Sequence, residues 1–198
     1  MSKIRATVND VGRTSQGDIF RDVEYVEHAI EDGDAFEISK IIFPLVVVLT
    51  QDCDLNQNSG YAATPAPSND DKRLFSVLVA PLYNAEHVYA GTHLSDLNMT
   101  MAKINKTKSE GKFLRRNERP RYHYLDFPRD IPVVESVVDF KHYFSVNAAY
   151  LDSIRSERFV CHVSELYRES LSYRFAFYLA RIGLPDDGIA SVDLCARG

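Results

Sequence analysis

The chain has 198 residues, 45% of them hydrophobic, and a formal net charge of −5, so it has the apolar content to fill a core without covalent staples. Three cysteines, Cys53, Cys161 and Cys195, are odd in number and lack CxxC spacing, which argues against a disulfide framework and for a reducing, cytoplasmic setting. The N-terminus carries no apolar signal-like run, and the longest apolar stretch, about residues 41 to 49, is far short of the roughly 20 residues that span a bilayer, so a membrane is excluded as a partner.

From Ile19 to Glu27 apolar and charged residues alternate at period two, which predicts a strand with one face on a core. Gly33-Asp34 predicts a turn, and residues 35 to 50 predict a return strand whose second half, Ile41 to Thr50, is apolar enough to be buried on both faces. Residues 56 to 72 are rich in Asn, Gln, Ser, Gly and Pro and predict an exposed loop. Phe75 to Leu82 predicts a core strand ending at Pro81, and short helices are expected at 85 to 89 and 94 to 102. Lys112 to Tyr124 predicts a pair of strands in which Phe113, Tyr122 and Tyr124 alternate with arginines. Strands are expected again over 133 to 146 and 158 to 163. The spacing of Leu171, Phe175, Tyr178, Leu179 and Ile182 predicts an amphipathic helix over 164 to 182, capped by Ser164 and stopped by Gly183 and Pro185, with Arg168, Glu169 and Arg174 in water. The expected whole is a single mainly β (α+β) domain over residues 1 to 198. Its core is a small barrel (about 15–85 and 112–163), with an insertion (about 86–111) and the C-terminal helix sealing it.

Two features carry candidate chemistry. The buried strand runs directly into Gln51-Asp52-Cys53-Asp54, placing two carboxylates and a thiol at the rim of the core. In extended backbone the acids share one side and Cys53 lies on the other, and a base from His142 or His162 would complete a hydrolase-like site; the catalytic candidates are Asp52, Cys53, Asp54 and His162. The flanking acids disfavour a thiolate, and the bland reading has the acids satisfying backbone donors while Cys53 packs as a small hydrophobe. No cofactor is expected and no metal site is assigned.

The second feature is a charge split. Lys103 to Arg121 carries eight basic residues against Glu110 and Glu118, a local balance of +6 that leaves −11 for the rest of the chain. Cations interleaved with aromatic rings suit a single-stranded RNA or DNA site, with charge on phosphates and rings on bases; the candidates are Lys112, Arg115, Arg116, Arg119, Arg121 and Tyr122. A solvated loop or an ordinary strand shares the same composition, and a protein partner docking on an exposed strand edge is the third reading.

Gly17-Asp18-Ile19, the valine-rich strand after Pro44, and Val77-Leu78-Val79-Ala80-Pro81-Leu82 fall in the order seen in PemK/MazF-like toxins, which the chain loosely resembles over about residues 15 to 85. The resemblance implies an SH3-like barrel and a toxin-antitoxin-like accessory or bacterial defence protein that meets nucleic acid or a protein partner. The family carries an arginine before the proline, where this chain has Phe43, while Ser76 stands where the family's hydroxyl is expected. The resemblance therefore implies a barrel with a different site, the Gln51 to Asp54 segment, at the end of the central strand.

Overall fold

The structure, a computed structural model, describes residues 4–10, 12–33, 35–63 and 69–181. In chain order the elements are β1 (Ala6–Thr7), β2 (Asp18–Asp32), β3 (Ala35–Val48), α1 (Asp52–Ala63), β4 (Ser76–Asn84), α2 (Ala85–Ala90), α3 (Ser109–Arg115), β5 (Tyr122–Leu125), β6 (Ser136–Asp139), β7 (Phe144–Asn147), α4 (Ala148–Arg158), β8 (Phe159–Val163) and α5 (Glu165–Leu179). The fold is mixed α+β around one large antiparallel sheet in the order β1-β8-β2-β3-β4-β6-β5, with β7 also on β4. Among the described residues this sheet does not close into a barrel. Its two ends do approach, through a backbone bond of 2.9 Å from Ile4 N–H to the Asp126 carbonyl.

The alternation from Ile19 onward makes β2, and Gly33, at φ +60°, supports the turn into β3. Both strands kink together. Asp22, at φ +53°, and Pro44, which has no N–H, fall between the opposed pairs Arg21–Leu45 and Val23–Phe43. There the buried phase changes, so that Phe20 and Val23 bury on one side with Val46 and Phe43 opposite them. Beyond the kink no third strand among the described residues pairs with the ribbon, since β8 meets β2 only at Asp18 to Phe20 and β4 meets β3 only at Val46 to Val48.

Strand β4 is shared between two neighbours on its outer edge, β7 up to Val79 and β6 from Leu82. Pro81 sits at this changeover, where the outer ladder is interrupted and a missing N–H is tolerated, so the strand runs on to Asn84 instead of ending there. Asn84 then accepts the Glu86 N–H and starts α2. Gly91, at φ +74°, ends α2, and a Cβ there would lie 2.3 Å from the Met101 carbonyl oxygen, so only glycine fits.

Several expectations are corrected. Residues 52 to 63 are helical, so the first part of the expected 56 to 72 loop, residues 56–63, is α1; residues 64–68 lie outside the described set. The 94 to 102 segment holds only a 3-10 turn, Ser95–Leu97. The 112 to 124 strand pair is instead α3, a turn, and β5. On α5, Leu171 and Phe175 bury as expected while Leu179 is exposed, and Ser164 occupies the N-cap position without a side-chain capping bond. Arg168 and Arg174 turn toward partners rather than water. Ile182, Gly183, Pro185 and Cys195 lie outside the described residues.

Three apolar clusters hold the molecule together. One sheet face packs Ile19, Val47, Leu82, Leu125, Val138 and Phe140 against Leu171 and Phe175 of α5. The opposite face packs Phe20, Val46, Val48, Val79 and Val146 against Leu151 of α4 and Leu55 of α1. The third joins Val88 and Tyr89 of α2, Leu94 and Leu114 to Tyr83, Tyr122, Tyr124 and Val137. No helix among the described residues is long and apolar enough to cross a membrane.

Candidate functional site

At the end of β3 the chain does not stay extended. Asp52 and Asp54 fall in the first turn of α1, where carboxylates complement the positive helix end, so the two-sided arrangement expected for Asp52, Cys53 and Asp54 is replaced by a helical one. Asp52 is the anchor. Arg13 grips both of its oxygens, at 3.2 and 3.0 Å, the Gln16 N–H donates to it at 3.3 Å, and Arg168 lies 3.5 Å away. Burial pushes its carboxyl upward, but the Arg13 hydrogen bonds and the charges of Arg13 and Arg168 outweigh this and hold it below the usual range. Cys53 is an exposed free thiol whose Sγ lies 3.5 Å from Asp54, itself exposed.

His162, on β8, points elsewhere. Its Nδ1 donates to Asp18 Oδ1 at 2.7 Å, and the fully buried Asp18 also accepts from the Ser15 N–H at 2.9 Å and from Arg155 at 2.7 Å. Arg155 in turn bonds Asp10, and Thr14 donates to Asp152 at 2.7 Å. What joins Asp52 and His162 is the loop 12–18, pinned between them, with Gly17 at φ +83° and within close reach of Val163 and Arg168. Residues from the loop, α1 and α4 also line a cavity of about 140 Å³ that includes Arg13, Thr14, Asn58, Asp152 and Arg155. The arginines and aspartates of this network pair with one another, and among the described residues no group of His, Cys, Asp and Glu forms a metal site. The arrangement fixes the loop rigidly; it brings no base to Cys53. Arg13, Asp152 and Arg155 carry no local signal in the sequence, where Gly17-Asp18 is the one marked landmark of this network.

The basic segment divides in two. Lys112, Arg115 and Arg116 are exposed on α3 and its end, beside the exposed Phe113. Lys103 and Lys108 extend the same exposed charge, and with Lys112 they have no carboxylate within ion-pair distance among the described residues. Arg116 lies 3.9 Å from Glu118, and Arg115 lies over the Tyr124 ring at 6.0 Å. Arg119 is half-buried over Tyr122 at 5.5 Å.

Arg121 and Tyr122 belong to the interior. Arg121 Nε and Nη2 grip the fully buried Asp139 at 2.8 and 2.5 Å, and the guanidinium covers the buried Tyr122 ring at 4.9 Å. Asp139 also accepts the Lys141 N–H at 3.0 Å, and His142 Nδ1 sits 3.4 Å from it and 3.2 Å from the Tyr83 hydroxyl. Burial depresses the pKa of His142 and His93 and raises that of Tyr83, leaving all three neutral near pH 7. Arg174 of α5 closes the back of this region with bonds of 2.8 Å to the carbonyls of Arg119 and Tyr122. No protein-family model and no curated protein matches the chain.

Proposed function

We propose that this chain binds single-stranded nucleic acid, with α3 and its flanking turns as the phosphate-contacting face. The observation that carries the reading is the concentration of exposed cations at Lys112 and Arg115 on α3, at Lys108 and Arg116 on its caps and at Lys103 in the segment before it, in a chain whose net charge is −5. Such a patch attracts a polyanion while the acidic remainder repels it, and the exposed Phe113 offers a ring on which a base can stack. Arg121 and Tyr122, candidates by sequence, act here as supports that hold β5 and therefore the end of α3 in place.

The toxin-barrel resemblance belongs to the same proposal. The sheet is an opened SH3-like barrel, supported by the Ile4–Asp126 backbone bond that brings the two ends of the strand path together. An accessory role in a toxin-antitoxin-like or defence system, in the cytoplasm, is the setting this implies, and the free thiols of Cys53 and Cys161 accord with it. The test is fluorescence anisotropy with a labelled single-stranded RNA. Replacing Lys112, Arg115 and Arg116 together by glutamate is expected to weaken binding at least about tenfold, and undiminished affinity would remove α3 from the interface.

A further inference from the structure

β3 and β4 are hydrogen-bonded neighbours only as far as the pair Val46–Pro81; beyond it they part, β4 leaving with β6 while β3 runs on into the ribbon. The divergence opens a wedge lined by residues 41–45, whose edge away from β2 no strand among the described residues pairs. The 93–97 segment roofs the wedge. Two adjoining cavities result, of about 330 and 240 Å³, sharing Ile41, Phe43, Tyr83, Leu94 and Leu97 in their walls. The larger lies at the lower end of the range of small-molecule sites, roughly 300–1,000 Å³.

Among the polar groups in these walls, which include Asn84, His87, Asp96 and Ser136, two imidazoles converge on one ring. Tyr83 stands between two imidazoles, with its ring centroid 4.9 Å from that of His93 and 6.0 Å from that of His142. Both ring nitrogens of His93 are buried and make no hydrogen bond with the described residues; the His87 carbonyl lies near but outside bonding geometry. A neutral imidazole offers one donor and one acceptor, and a buried pair of this kind without a protein partner at a cleft wall is the kind of exception that calls for an occupant. Asp96, exposed, is the full charge in the wall of the larger cavity, and behind the walls Arg121 and Asp139 neutralise each other. An anionic ligand would therefore meet a carboxylate and no lining cation, whereas an uncharged ring with apolar faces and an edge mixing donors with acceptors matches the Ile41, Leu94, Leu97 and His93 walls.

We infer that this wedge binds a neutral nucleobase, with the aliphatic walls of Ile41, Leu94 and Leu97 on its faces and His93 and Tyr83 on its hydrogen-bonding edge. The inference goes beyond the polyanion reading and does not rest on it, because the wedge walls are apolar or neutral apart from Asp96 and present no lysine or arginine, whereas α3 presents cations. A free nucleoside and a base turned out of a strand present the same chemistry, and the experiment separates them.

The full chain is titrated with adenosine, guanosine, cytidine and uridine while the histidine ring signals are followed by NMR. At least one nucleoside is expected to shift the His93 and His142 signals saturably below about 10 mM. Leu94→Trp, which fills the wedge, and His93→Phe, which keeps its shape but removes the edge, are each expected to weaken that binding at least about tenfold, and the second covers the case in which the first fails to fold. A matching labelled oligonucleotide, beside one with an abasic position, reports whether the base is taken from a strand. Absence of saturable shifts with all four nucleosides, or shifts unchanged in His93→Phe, would overturn the inference. The variant Lys112→Glu/Arg115→Glu/Arg116→Glu is expected to keep its nucleoside response; a kept response with unchanged strand affinity would sink the α3 reading and leave this one standing.

Discussion

Two buried carboxylates organise the polar interior, Asp18 beneath the loop 12–18 and Asp139 beneath the β5–β6 edge, and each holds an arginine and faces a histidine. Removing one partner of such a pair leaves the other charged and buried. Asp139→Asn is thus expected to lower the unfolding free energy by about 3 kcal/mol, read from urea denaturation, and a loss below about 1 would show that Arg121 finds water instead. His123 gives the molecule a pH dependence. Burial, with a smaller contribution from the charge of Arg174, lowers its pKa from 6.5 to about 3. The unfolded chain therefore takes up a proton below about pH 6.5 that the folded chain refuses, so the contribution of His123 is complete above that pH and declines as the pH falls toward 3. His93 and His142 shift in the same direction. For the His123 proton, stability is expected to fall by about 1.4 kcal/mol per pH unit between pH 6 and 5, and His123→Phe is expected to remove that part of the slope. Little of this was legible from sequence. Asp52 reads correctly as a polar group where the core stops, but Arg13, which holds it, is 39 positions away, and nothing local selects it over other arginines.

At the scale of elements, periodicity located β2, β3, β4, β8 and α5, because their burial is set by alternation or by a helical stripe that the residues themselves display. It missed α1 and α3, and the reason is the same for both: α1 buries only Leu55, and α3 only Gly111 and Leu114, so neither shows an apolar stripe. Gly111 is in any case sterically required, since a Cβ there would lie 2.5 Å from the Asn105 carbonyl oxygen. α4 buries only Ala148, Leu151 and Arg155, too little apolar surface to show a stripe, and Asn147, whose side chain caps the Tyr150 N–H, reads equally as a loop residue. Gly91→Ala tests the tightest of these junctions. Positive φ and the Met101 carbonyl both oppose the methyl group, and a loss of about 2–3 kcal/mol in urea unfolding is expected; a neutral result would mean that the 91–102 connection is loose. The distal ribbon should behave oppositely. Val26, Phe36, Ile38 and Ile42 share one of its faces and are all more than half exposed, so Phe36→Ser and Ile38→Ser are expected to change stability by less than about 0.5 kcal/mol each. Amide hydrogen exchange should find residues 28–39 among the least protected of the sheet.

Across the whole molecule, an antiparallel sheet divides three apolar clusters, and the chain's excess negative charge is segregated from one basic element. The class of fold and the unequal charge distribution were both evident in the residues. The way the charges are shared was not: Lys103 to Arg121 looks uniform in sequence, yet burial assigns Arg121 to Asp139 and leaves Lys112, Arg115 and Arg116 to the solvent. That division makes a quantitative claim, because only cations free to meet phosphates release counterions. The most direct test is the slope of log affinity for single-stranded RNA against log salt concentration. Each phosphate contact contributes about −0.7, so three to five contacts from the α3 face predict a slope of roughly −2 to −3.5, falling by about 2 in the Lys112, Arg115, Arg116 triple glutamate variant. A slope near zero in the unmodified protein, or one unmoved by those three replacements, would contradict the account.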